Sequence, residues 1–240
     1  MSQQIITSEI APNYKLEIPV HLQHLLLGGL ALGGIGLALL VGSEVLRVLG
    51  IILLAVGVMA IAIEGLLLLV VNNQARLNAR RKMIESVTWR GDETVLDVGC
   101  GNGFLMLEAA KHLTTGKAIG IDMWVENSGG QNAQEVRRNA QLEGVADKID
   151  VQNVDARSMP FEAASFDVIM SSLALHHMGS NADRERAFKE MTRVLKPGGT
   201  ILLYDMFPMI NQAETVLRQN GITQIQRIGG VVMRIMSARK

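Results

Sequence analysis

Val95-Leu96-Asp97-Val98-Gly99-Cys100-Gly101-Asn102-Gly103 decides how this chain is read. An apolar, β-prone run ends on an acid and alternate glycines, and a helical pattern through Phe104, Leu105, Leu107, Glu108, Ala109 and Ala110 begins at once. Strand, tight glycine turn and helix in that order open an α/β nucleotide-type site. Glycine there lets backbone approach a ligand with no Cβ in the way. Taken alone, the same residues also fit an ordinary strand-to-helix turn. The spacing narrows the ligand. The dinucleotide fingerprint is G-x-G-x-x-G, whereas Phe104 stands here where its third glycine would be, and no Gly-Lys-Ser/Thr makes a P-loop.

Outward from this stretch, the pattern alternates strand and helix, as a parallel sheet requires. Strands are expected over 94–98, 118–122, 149–153, 166–170 and 200–205, with helices over 104–112, 132–143 and 183–195. Lys196-Pro197-Gly198-Gly199 ends the last of these, because Pro stops a helix and paired glycines permit the turn into the next strand. A short helix over 212–219 and two strand-like runs, 224–228 and 231–236, close the chain. The Gly229-Gly230 pair between those runs reads as a hairpin at the sheet edge.

The chain has 240 residues, 48% of them hydrophobic, and no formal net charge. Its mean hydropathy is +0.24, high for a soluble domain, so one region carries the excess. There is no basic excess and no long basic run, which argues against nucleic acid as a partner. Cys100 is the single cysteine, so no internal disulfide forms. No Cys/His/carboxylate spacing supports a metal.

The apolar excess lies before the sheet. Residues 1–21 read as an N-terminal arm. Leu22–Gly42 holds no Asp, Glu, Lys or Arg, and as a helix it rises about 31 Å, enough to cross a hydrocarbon core. Ser43, Glu44 and Arg47 interrupt before a second apolar run, Val48–Val71. Two transmembrane helices in a hairpin over 22–71 are expected; a signal peptide, with its shorter core behind positive charge, fits poorly, and two buried soluble helices are the other rival. Gly29 and Gly33 have the small-xxx-small spacing of close helix contact, which raises a homo-oligomer through this helix. Glu64 is either a functional carboxylate within the bilayer or a sign that the span ends near Ile63. Arg76, Arg80, Arg81 and Lys82 favour a cytoplasmic side for the remainder of the chain, and a hairpin returns the N-terminus to that side. Residues 72–90 read as a juxtamembrane linker helix, and 91–240 as the α/β domain.

Three further stretches carry candidate chemistry. Asp122 ends the second strand, about twenty residues beyond the glycine loop, where an acid accepts hydrogen bonds from ribose hydroxyls. The alternative is a strand-end acid capping a turn. Met123 and Trp124 follow, as apolar flanks for a base or as packing. Asn153-Val154-Asp155-Ala156-Arg157 follows the third strand. Ser171-Ser172-Leu173-Ala174-Leu175-His176-His177-Met178 follows the fourth, beyond the carboxyl ends of the strands, where open α/β sheets bind ligands. A neutral imidazole there suits proton removal from a nucleophile. His177 is the first candidate base and His176 the second, and either could instead hold the loop.

The D-x-G-x-G-x-G form at Asp97–Gly103, Asp122, Asn153–Phe161, Ser165–Ile169 and Glu190–Gly199, in that order, resembles the class I, Rossmann-like S-adenosylmethionine-dependent methyltransferases of small-molecule or lipid type. The resemblance spans about Thr94 to Tyr204. It implies a doubly wound, mostly parallel seven-stranded α/β sheet and S-adenosyl-L-methionine as cofactor. It implies cofactor contacts at Asp97, Gly99, Cys100, Gly101, Asn102, Gly103, Asp122, Met123, Trp124 and Ser171. Asp155 would face the adenine amino group, and the Ala156 amide the ring. Asp167 is expected to be structural. The loop from Trp124 to Gly130 is longer than the family's usual pattern, which bears on the contacts after Asp122. The expectation is an integral-membrane methyltransferase acting on a hydrophobic or membrane-borne small acceptor. A membrane-anchored protein methyltransferase and a non-catalytic cofactor-binding scaffold are the alternatives.

Overall fold

The computed structural model describes Pro12 and residues 20–70, 73–124, 132–229 and 233–240. The N-terminal arm, the loop beyond Trp124 and the turn around Gly230 fall outside the described residues, apart from Pro12 and the residues from Val20. The described residues from Val20 to Leu77 and those from Asn78 onward form two separate compact units.

The first unit is a pair of helices, α1 (Val20–Leu39) and α2 (Glu44–Val70). The connection is residues 40–43, and the charges of the break read in the sequence, Glu44 and Arg47, fall at the start of α2. The helices run antiparallel, since Gly29 meets Gly57 and Ala60 while Gly36 meets Gly50 and Leu53. A Cβ at Gly36 would lie 2.6 Å from the Leu54 nitrogen, and one at Gly57 would lie 2.7 Å from both Gly29 oxygen and Gly33 nitrogen. Gly29 therefore packs against α2 of the same chain, and so does the backbone of Gly33. The small-residue pair expected to join two copies is taken up inside the hairpin. Leu37, Val41, Val45, Ile51 and Val58 stand exposed.

By length and composition, one described helix segment could cross a membrane, Glu44–Gly65 of α2; the apolar part of α1 among the residues searched, Leu27–Leu39, is shorter than a span. The expectation of two spanning helices is thus met by one candidate. Glu64 lies within α2, which continues to Val70. Its side chain is buried, and its Oε2 has no hydrogen-bond partner.

α3 (Asn73–Glu85) leads into the second unit. That unit is one seven-stranded sheet: β1 (Thr94–Val98), β2 (Lys117–Asp122), β3 (Ile149–Asn153), β4 (Phe166–Ser172), β5 (Leu195–Met206), β6 (Gln224–Gly229) and β7 (Met233–Arg239). The order is β3-β2-β1-β4-β5-β7-β6, and β7 runs antiparallel to both neighbours. The winding reverses between β1 and β4, which makes the crevice beyond their carboxyl ends the switch point.

Strand alternation builds two cores. Val95, Ala118, Val168 and Met170 meet α4 (Phe104–Ala110), α5 (Ala133–Leu142) and the Met83 and Ile84 side chains of α3. Leu96, Val98, Ile121 and Ile169 meet α6 (Asn181–Val194) and α7 (Phe207–Gln219) on the other face. Of the strands and helices expected in this unit, β1 and β3 keep their expected ends and the others are present with shifted ends. β5 spans Leu195–Met206, and Lys196-Pro197-Gly198-Gly199 bulges out between Leu195, paired with Phe166, and Thr200, paired with Val168; Gly198 has φ of +78°. Asn132 caps α5, accepting from Glu135 N at 2.9 Å, and Ser180 caps α6 from Asp183 N at 3.0 Å. Asp167 is structural as expected: at the far end of the sheet it accepts from Thr94 N at 2.9 Å and from Lys196 Nζ at 2.6 Å.

Candidate active site

β1 delivers the glycine loop to the switch point. Gly99 N and Cys100 N both donate to Ile121 O, at 2.8 and 3.1 Å, so the turn is sewn to β2. Gly99 has φ of +73°, and a Cβ there would fall 2.2 Å from the Ala174 Cβ. Only glycine lets the loop after β4 close over the loop after β1. Cys100 is buried, and its Sγ would lie 2.9 Å from a Cβ at Gly120; burial pushes its thiol pKa well up, so it packs as an inert thiol.

Two acids frame this loop. Asp97 is 2% exposed, and its Oδ2 accepts from Met106 N, in α4, at 3.1 Å. Burial pushes its carboxyl up to about 7, against the pull of the Arg80 charge and of that hydrogen bond. Asp97 thus ties the strand to the helix beneath the loop. Asp122 Oδ2 accepts from Gly101 N at 2.8 Å, and burial raises its pKa above the ordinary carboxylate range. Trp124 Nε1 donates to Gly101 O at 3.2 Å, and Trp124 packs on the core of that face. Of its two readings, packing is the one its contacts display. Asn139 Nδ2 donates to Asn102 O at 3.1 Å, while Met123 stands exposed beside Asp122.

The fourth strand closes the crevice. Ser171 Oγ donates to Val98 O at 2.8 Å, so this buried hydroxyl is engaged with β1. Arg80 of α3 reaches the same end: its Nε donates to Ser172 Oγ at 2.8 Å, and its guanidinium lies 5.8 Å from the Phe104 ring centre. Asp155 is held by Arg157 through Nε and Nη2, at 2.9 and 2.7 Å to Oδ2, and Arg157 also reaches Asp183. This pairing holds the Asp155 carboxyl below its usual range. Ala156 is buried at the edge of the core.

The histidines separate here. His176 Nδ1 lies 3.0 and 3.3 Å from the two oxygens of Asp205, which is 4% exposed at the end of β5. A carboxylate only accepts, so Nδ1 carries a proton, and in the neutral ring the lone pair is on Nε2. The rings of His176 and His177 are 4.0 Å apart. Burial, and then the charge of His176, lower the His177 pKa, with Asp205 and Asp122 opposing. The sequence favours His177, but the oriented imidazole is His176. Asp205 is absent from the residues that the motifs single out, because it ends the fifth strand, far along the chain; an acid ending the strand beside the histidine loop is the available signal. Arg80 counts in the sequence only as part of a basic cluster.

The residues fit the cofactor that the sequence motifs imply: a glycine cradle that a Cβ would fill, an acid at the end of β2 for a sugar, and a crevice holding both acids and a guanidinium. Residues 96–203 match the family described as Methyltransferase domain. The chain is 35% identical to the 27-O-demethylrifamycin SV methyltransferase of Amycolatopsis mediterranei, over 48% of this chain and 39% of that protein. It is 30% identical to the ubiquinone/menaquinone biosynthesis C-methyltransferase UbiE of Pectobacterium carotovorum, over 64% of this chain and 59% of that protein. The chain spans about half the length of the curated relatives it matches. Among solved structures, YcgJ of Bacillus subtilis superposes with a TM-score of 0.56 at 18% identity, covering 68% of this chain and 98% of that one. In its matched residues and its sheet order, the segment 96–203 is similar to the methyltransferase domains of class I, and its residues fit S-adenosyl-L-methionine as cofactor.

Proposed function

We propose that this protein is a membrane-anchored methyltransferase whose acceptor is a hydrophobic small molecule, and that His176, held by Asp205, is its general base. The observation that carries the chemistry is the His176–Asp205 pair at the carboxyl ends of β4 and β5, across the switch point from the glycine loop. Anchoring is supported by the apolar segment Glu44–Gly65 and by the exposed apolar side chains of the hairpin. The arginines and lysine after it favour a cytoplasmic domain.

The bound cofactor supplies a methyl on a positively charged sulfur, already activated for displacement. The chain has to hold the partners in line and manage one proton. The Asp122 carboxylate would hold the cofactor by accepting from its ribose hydroxyls. Asp97 keeps β1 and α4 in register below the loop. On this reading Ala156 N and Asp155 edge the base, the latter once freed from Arg157. His176 Nε2 accepts a proton from the acceptor, and the Asp205 carboxylate stabilises the imidazolium that results. His177, kept neutral by burial beside it, adds no opposing charge.

The test uses the full chain in native membranes with methyl-labelled cofactor. Label entering solvent-extractable small molecules supports the reading, and label in protein transfers it to a side-chain acceptor. Cofactor binding with no label transferred anywhere would leave a scaffold.

A further inference from the structure

We propose that Arg234 and Phe207 form the acceptor subsite of this domain, and that it takes a planar ring bearing a weakly acidic hydroxyl, a phenol or an enol. The proposal rests on the methyl-transfer reading above and names the substrate class for it.

Arg234 is the cross-strand partner of Asp205 in the β5–β7 pair. Directly opposed residues on antiparallel strands project from the same face of the sheet, so Arg234 stands on the face where Asp205 holds His176. Just beyond Asp205 in the chain, Phe207 opens α7 and is 37% exposed. The Arg234 guanidinium carbon sits 4.3 Å from the centre of its ring. A base, the carboxylate that orients it, a cation and an exposed aromatic ring therefore meet at one strand end.

A guanidinium on a surface ring contributes only about 0.5–1 kcal/mol to stability. Beside a base, the same cation has a chemical consequence. When an acceptor O–H bond breaks and an Nε2–H bond forms on His176, the electron pair stays on oxygen. That oxygen is negative as it forms, and Arg234 faces it with a guanidinium already fixed by Phe207. The other charged or titratable groups around the strand ends are Asp205 on β5, His176 and His177 after β4, Asp122 on β2, and Arg80 of α3, which donates to Ser172 at the end of β4. The two acids oppose an anion, and Arg234 adds to the imidazolium in offsetting them. A protonated amine acceptor would be repelled by the same charge. A saturated alcohol presents no face to Phe207, and its hydroxyl is too weak an acid to be held as the anion.

The experiment titrates para-nitrophenol by its phenolate absorbance, with full-length protein saturated with S-adenosylhomocysteine. The bound phenol is expected to ionise about one pH unit lower than free phenol, a tenfold preference for the anion. Arg234→Gln abolishes that shift while S-adenosylhomocysteine affinity, read by calorimetry, is unchanged; Arg234→Lys restores part of it. Phe207→Leu weakens both ionisation states of the phenol alike and leaves the shift in place. A wild-type protein that leaves the phenol spectrum and pKa untouched overturns the proposal, as does an Arg234→Gln variant that keeps the shift. Failure of the wild type to bind S-adenosylhomocysteine would instead bring down the methyl-transfer reading, and this subsite with it.

Discussion

In the hairpin, Gly36, Gly50 and Gly57 lie where two helix backbones touch, and large apolar side chains such as Val45 and Ile51 point outward. In the methyltransferase domain the arrangement is inverted. The large side chains Leu96, Ile169, Phe188 and Met191 are fully buried, and Gly99 lies at a turn facing the crevice. Both regions use glycine for close approach, in one case helix to helix and in the other loop to loop over a ligand site. On the membrane-anchored reading proposed above, the contrast comes from the surroundings of each region: water drives apolar side chains inward, whereas helices in lipid would have no such drive and would associate by backbone contact. Changes in one region should therefore leave the other's observable untouched.

The largest separation is expected in turnover. His176→Ala removes the base and lowers turnover on a hydroxyl acceptor by about 10²–10⁴-fold, with S-adenosylhomocysteine affinity unaltered. Asp205→Asn acts in the same direction, because the imidazole loses the carboxylate that fixes its tautomer. Steady-state kinetics beside calorimetry separate the two quantities. An unchanged rate in both variants would remove the base from the account.

Cofactor affinity comes next. Hydrogen bonds to a charged group contribute about 1.5–3 kcal/mol, so Asp122→Ala should weaken S-adenosylhomocysteine binding by roughly 10–100-fold. Asp155→Ala should do less, since Arg157 already competes for that carboxylate. Equal losses in the two variants would show that Asp155 is released from Arg157 at little cost on binding.

Glycine substitutions sharpen the contrast directly. Gly57→Ala places a methyl against the α1 backbone and should destabilise the hairpin by about 1–3 kcal/mol, whereas Gly34→Ala meets open space and should stabilise the helix slightly. Helical circular dichroism on heating the full chain in detergent reads both. Gly99→Ala should leave the hairpin alone and abolish cofactor binding, because its methyl collides with Ala174 and its φ is unfavourable as well.

The parts that local rules determine are legible in the sequence. Short apolar, β-prone runs at Thr94–Val98 and Ala118–Ile121 mark the strands, and Pro197 with its glycines marks the turn region after α6. Asp97 and Asp122 can be found because their distance from the glycine loop is fixed along the chain. His176 against His177 is not legible, since adjacent residues share every local signal and only the register of β4 against β5 brings Asp205 to one of them. Arg234 and Phe207 meet through an antiparallel pairing that no spacing encodes. Gly29 looks available to a second copy because the sequence does not say which helix a small residue will face.

The smallest effect is a slope with pH, and a buried carboxylate of the sheet unit carries it. Asp97 has Met106 N and the Arg80 charge as partners. Unfolded, Asp97 ionises near 4; folded, it keeps its proton until about 7. Between those values the native state binds the extra proton, so this group makes stability fall as pH rises, by at most about 1.4 kcal/mol per pH unit. Below the window both states are protonated and above it both are ionised, so the slope vanishes at each end. Asp122, also raised, acts in the same sense, while Asp155 and Asp183, both lowered, contribute stability that is lost as pH falls toward the acid end. Asp97→Asn should therefore flatten the denaturation midpoint between pH 4 and 7, and Arg80→Gln should extend the falling limb to higher pH by withdrawing the charge that favours ionisation. A limb unchanged in both variants would mean that the crevice admits enough water to solvate Asp97, and that its proton is held no more tightly than on the surface.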